Sequence, residues 1–188
     1  MKEILFTEKT RSLLQSAGWF PERDVQIFIA ESDGELLPSA SKVLREFGNL
    51  SIHGESHEWL TFGPEFDFGD DTILSERTVS LADLAEEKAV WKHLSKQIGE
   101  IVASVAWKEG QDLHSLAVSG NGSIFCATWF FDEPTQMINA SFIKLADSIN
   151  AYLNFWLDPT EATRSELHYA SPVWEHDAQL SYQPVDPT

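Results

Sequence analysis

LHSLAVSGNGSIFCATW, residues 113–129, decides the fold class. Two apolar runs, Leu113 to Ser119 and Ser123 to Trp129, flank Gly120-Asn121-Gly122. Glycine and asparagine tolerate the positive φ that a tight turn requires, so the segment predicts a β-hairpin. A hairpin pairs its strands antiparallel, which argues against a chain of βαβ units.

The flanking segments extend this picture in both directions. Upstream, Ile98 to Trp107 reads as a strand. Ser80 and Asp83 form a capping box for a helix that runs to about Ser95, with Leu84, Trp91 and Leu94 on its inner side. HEWLTFGPEF, residues 57–66, reads as a strand with Trp59 and Thr61 on one face and Leu60 and Phe62 on the other. NLSI, residues 49–52, reads as the first strand. Pro38 to Phe47 is predicted as a helix, with proline in its first turn and Gly48 just past its end. Val25 to Glu31 is apolar and fits either a strand or a helix. Thr7 to Ala17 is a short helix that Thr7 caps and Gly18 stops.

Downstream, Phe142, Leu145, Ala146, Ile149 and Leu153 fall at helical spacing, which predicts a closing helix over Ser141 to Leu153. After Leu157 the pattern dissolves among four prolines. The expected organisation is one domain over residues 1–157 and a tail over residues 158–188. The tail either wraps the domain through Tyr169, Trp174 and Tyr182 or is partly disordered. The expected class is α+β, a single domain with a mainly antiparallel sheet packed by helices.

Composition narrows the function classes. The 188 residues are 43% hydrophobic and include seven tryptophans, enough for one packed core. Cys126 is the single cysteine, so a disulfide framework within the chain is excluded and a reducing compartment fits. MKEILFTEKTRS is not a secretory signal, and no later run is long enough to span a bilayer, so a cytoplasmic protein is expected. The chain carries 30 acidic and 13 basic side chains, a net charge of −17. Glu55 to Glu87 holds ten acids against Arg77 alone, a net of −9. Phe155 to the end holds six against Arg164, a net of −5. Such a field repels nucleic acid and anionic membranes and attracts a basic partner.

The search for chemistry is mostly negative. HGESHE places His53, Glu55, His57 and Glu58 close together, but Gly54 argues against the helix that would put both histidines on one face. Cys126 lies mid-strand, where a cysteine behaves as a small hydrophobe. No exposed serine elbow of the G-x-S-x-G type is present. SGNGS sits between strands and lacks lysine, so it is a turn rather than a phosphate loop. Glu65, Asp67, Asp70 and Asp71 do not meet the spacing of a calcium loop and read as a solvated acidic loop.

LLQSAGWFPERDV, residues 13–25, resembles the opening of the third subgroup of the SUKH superfamily, with Gly18, Trp19, Pro21 and Arg23 carrying the match. LPSASKVLREFGNLSI is similar to a second family segment through Leu44, Phe47, Gly48 and Leu50. IGEIVASVAWKEGQDLHSLAVSGNGSIFCATWF resembles its strand, hairpin and strand. The predicted helix from Ser141 to Leu153 would correspond to the family's closing helix. The resemblance spans roughly Phe6 to Leu153. Asn121-Gly122 replaces the family's common acidic-Gly turn, Glu55 to Lys96 matches loosely, and the tail lies outside the pattern. It implies a SUKH-like fold and no cofactor. The implied role is an immunity protein of a bacterial polymorphic toxin system, which binds a toxin domain, often a nuclease. Other members are intracellular interaction modules. On that basis the expected protein is not an enzyme. Its expected partner is a basic toxin domain, met by Glu55, Glu58, Glu65, Asp67, Asp70 and Asp71. A housekeeping interaction module is the alternative, and a metal-dependent hydrolase using HGESHE or DFGDD is the third reading.

Overall fold

The structure is a computed structural model and describes residues 5–25, 37–54, 58–63, 81–109, 114–132, 134–166 and 175–181. Helices α1 (Glu8–Ser16) and α2 (Pro38–Phe47) come first. Strands β1 (Ser51–His53) and β2 (Trp59–Phe62) lead to α3 (Leu81–Ile98). Then come β3 (Val102–Glu109), β4 (His114–Ser119), β5 (Ile124–Asp132) and β6 (Met137–Ala146). Helices α4 (Ile149–Leu157) and α5 (Glu161–Glu166) precede β7 (Glu175–Ser181). The seven strands form one sheet in sequence order, every neighbouring pair antiparallel.

The hairpin at residues 119–123 forms as predicted. Gly122 takes φ +94°, and its N–H donates to the Ser119 carbonyl at 2.9 Å. The Asn121 side chain accepts from the Ser123 N–H at 2.9 Å and donates to Glu100 at 3.0 Å, which fixes the turn to the β3 approach. At the amino end, the Thr7 hydroxyl caps α1 by accepting from the Thr10 N–H. Gly18 ends the helix at φ +95°, a conformation that strains any side chain with a Cβ.

One expectation is overturned. Residues 141–146 are not the start of a helix; they complete β6. Ile138, Ala140 and Phe142 are buried and alternate with partly exposed Asn139 and Ser141, the period of a strand. The segment pairs with β5 on one side and β7 on the other, and that double pairing outweighs a helical spacing that Phe142, Leu145 and Ala146 also satisfy. The helix begins later, where the Ser148 hydroxyl accepts from the Ala151 N–H at 3.2 Å. Smaller differences concern bounds: α3 extends to Ile98, so β3 starts at Val102. Ser80, most of Val25 to Glu31, and Tyr169, Trp174 and Tyr182 lie outside the described residues.

Two apolar clusters pack against opposite faces of the sheet. On the first face, Leu14 and Trp19 join Val43, Leu44 and Phe47 of α2, and Ala151, Leu153 and Leu157 of α4. They bury Ile52, Leu60, Phe62, Leu116 and Val118. On the second face, Val90, Trp91 and Leu94 of α3 cover Ala117, Phe125, Ala127, Ile138, Ala140 and Phe142. We call these the α2 face and the α3 face. Leu116 and Val118 point to one while Ala117 points to the other, so β4 is buried on both sides.

Candidate partner-binding surface

Among the described residues, several groups with chemical potential are engaged by the fold. Glu87 of α3 is buried, and its Oε1 accepts from Trp91 Nε1 at 2.9 Å and from the Ser115 hydroxyl at 2.7 Å. That carboxylate ties α3 to the centre of the sheet. Burial pushes the Cys126 thiol up to about 11, partly countered by Lys108, so it stays protonated and is a poor nucleophile. His53 meets Trp59 edge-on at 4.5 Å. Among the described residues no three or more His, Cys, Asp or Glu side chains converge as a metal set; Glu55 and His57 lie outside them.

The conspicuous aromatic and arginine after α1 have structural work. Trp19 is buried and packs edge-to-face on Phe6 at 5.3 Å. The Arg23 guanidinium donates to the Glu46 carbonyl at 2.9 Å and the Gly48 carbonyl at 2.8 Å. These carbonyls belong to the end of α2, where a helix leaves its last oxygens without partners and favours positive charge. Burial lowers the Arg23 pKa from its ordinary value.

Of the six nominated acids, Glu58 lies among the described residues; Glu55, Glu65, Asp67, Asp70 and Asp71 do not. Glu58 accepts from Lys108 Nζ at 2.9 Å and Trp156 Nε1 at 3.3 Å, with its side chain 29% exposed. Its charge is therefore answered within the fold, where it links β2, β3 and α4.

A different surface stands open. Strand register sets four cross-strand rows on the α2 face of β5, β6 and β7: Cys126–Ile143–Glu175, Thr128–Ser141–Asp177, Phe130–Asn139–Gln179 and Asp132–Met137–Ser181. Helix α4 reaches the first row, because Cys126 packs against its cluster. Within that row Ile143 is still 37% exposed, and beyond it Phe130 is 65% exposed. Their neighbours Trp129, Phe131, Ala178 and Leu180, on the α3 face, pack against the α3 cluster. The rows hold Asp132, Glu175 and Asp177 and neither lysine nor arginine. The sequence pattern did contain this face: Glu175, Asp177 and Gln179 alternate with His176, Ala178 and Leu180. Among flanking prolines that alternation was too short to stand out.

The SUKH-3 immunity protein family model matches residues 6–143, from just before α1 to within β6. The chain belongs to the SUKH-3 immunity protein family. No curated protein and no solved structure matches it. The resemblance thus holds at the level of the family, and the matched span contains α1, Gly18-Trp19 and Arg23. In this SUKH-3 chain, α4, α5 and β7 lie beyond the matched span. No described helix is long and apolar enough to cross a membrane.

Proposed function

We propose that this chain is a cytoplasmic immunity protein that neutralises a cognate bacterial toxin domain by binding it, and that the toxin is a basic nuclease. Membership of the SUKH-3 immunity protein family carries the reading. The net charge of −17 supports a basic partner, because complementary fields speed encounter and disfavour wrong partners. A nuclease must hold a polyanion, so its working face is basic. An acidic protein seated on that face competes with the substrate for the same cations. In this reading Glu55, Glu65, Asp67, Asp70 and Asp71 supply a steering field, while buried apolar contacts set the residence time.

The test is co-expression with the toxin domain encoded beside this chain, scored by host survival and by co-purification. Rescue with a complex that weakens between low and high salt supports charge-guided neutralisation. A toxin that kills regardless, with no complex formed, rejects the reading and leaves an interaction module without a toxin partner.

A further inference from the structure

We propose that the α2 face of β5, β6 and β7, which no described helix roofs beyond its first row, is the docking surface for that basic protein partner, with Phe130 as its main anchor. The inference rests on the binding reading above and adds where the contact is made.

The argument begins with an asymmetry within one strand. Trp129 and Phe131 turn toward α3 and pack against its cluster, whereas Phe130, between them, turns the other way and is 65% exposed. A large aromatic held on a paired strand, with no covering element among the described residues, is pre-ordered for binding: little conformational freedom remains to be lost. Ile143 is the second exposed apolar side chain on this face, two cross-strand rows away. At about 3.4 Å per residue the two stand ~14 Å apart along the strands, the reach of one compact contact patch. Thr128 and Ser141 lie in the row between them, and Asn139 and Gln179 share the Phe130 row. The Gln179 amide donates to Asn139 at 3.0 Å, which holds that polar row in place. Apolar anchors within a polar surround are the usual anatomy of a protein interface.

Charge selects the occupant. Asp132 borders the patch on β5, and Glu175 and Asp177 border it on β7, with no base in the four rows. A second copy of this chain placed face to face would set acids against acids. A basic protein surface with an apolar recess for Phe130 satisfies both features.

The experiment measures binding of a catalytically inactive form of the toxin domain encoded beside this chain. Four proteins are compared: the natural chain, Phe130→Ala, the double charge reversal Glu175→Lys with Asp177→Lys, and a control reversal of Glu8→Lys with Glu161→Lys. The control acids are exposed on α1 and α5 and change the net charge by the same amount. Phe130→Ala should weaken binding by at least about 30-fold, chiefly through faster dissociation. The β7 reversal should slow association by at least about 10-fold, well beyond the control. Circular dichroism checks that each variant is folded; Ile143→Ala, at the other end of the patch, should weaken binding independently. Equal affinity for the natural chain, Phe130→Ala and the β7 reversal overturns the surface while leaving the immunity reading intact. No binding by the natural chain overturns the immunity reading itself. Self-association abolished by Phe130→Ala would replace the basic partner with a second copy and overturn the assigned occupant.

Discussion

At β4, between Ser115 and Ser119, every residue is buried, because helices press on both faces of the sheet. At β7 exposed and half-buried residues alternate, because α3 covers one face and the described residues place no helix on the other. Both strands pair antiparallel, β4 on two sides and β7 on one, but what differs on their faces is the distribution of roofs. Helices α1 and α2 gather over β1 to β4 and α4 runs between its preceding strand β6 and the β1–β2 edge, while α3 lies across β3 to β7. An antiparallel sheet tolerates a solvated face, and the second half of this sheet uses that latitude. What is left on such a face is under weak packing constraint, and an aromatic there asks for an explanation that one in the core does not.

This contrast can be broken most forcefully at Phe142, which is fully buried under α3 and one strand away from Phe130. Phe142→Ala should cost about 4 kcal/mol of stability, read by urea denaturation. A cost below about 1 kcal/mol would mean that α3 does not seal its face. The opposite roof is tested by Arg23→Ala, which leaves the Glu46 and Gly48 carbonyls at the end of α2 without their charged donor. Two charge-assisted hydrogen bonds are lost, and about 3 kcal/mol should go with them. The same denaturation measurement decides whether Arg23 holds α2 or merely decorates it.

A smaller effect should come from pH. His93 on α3 and His176 on β7 face each other with Nε2 atoms 3.3 Å apart, so one ring must donate and the other accept. Burial lowers the His93 pKa, with further lowering by His176 and Lys96. A histidine whose folded pKa lies below its unfolded value binds fewer protons when folded. Its stabilising contribution is complete above the unfolded pKa, near 6.5, and is lost as the pH falls through the folded value. Thermal melting should therefore drop between pH 7.5 and 5, and His93→Phe should flatten that drop. An unchanged slope would detach the pair from the α3–β7 contact. The smallest effect belongs to Phe130 itself: Phe130→Ala should leave stability within about 0.5 kcal/mol of the natural chain, in the same urea titration. A large loss there would show a packed rather than an open face.

The elements that the sequence announced are those closed by local chemistry. Thr7 and Gly18 bound α1, Pro38 and Gly48 bound α2, and Asn121-Gly122 makes the hairpin; each signal acts within a few residues. Arg23 stood in the sequence as part of the family resemblance, but its targets lie 23 and 25 residues away, beyond any local signal. β6 was misread because its apolar residues satisfy two periods, and only its two neighbouring strands decide between them. The open face was hard to see for a related reason. Phe130 sits among aromatics on both sides in the chain, and nothing local says which of them a helix will cover. The acidic stretch Glu55–Glu87 drew attention by its charge density, yet Glu58 within it spends its carboxylate on Lys108 and Trp156.

A sheet whose spatial order equals its sequence order has a consequence for its birth on the ribosome. Each strand finds its one earlier neighbour already synthesised when it emerges, so the sheet can grow vectorially, edge by edge, without waiting for distant partners. Strand β7 emerges last of the seven, and it carries Glu175 and Asp177. A nascent chain stalled before it would present Phe130 without its full acidic border. The acidic side chains of that face are thus completed only with the last strand of the sheet.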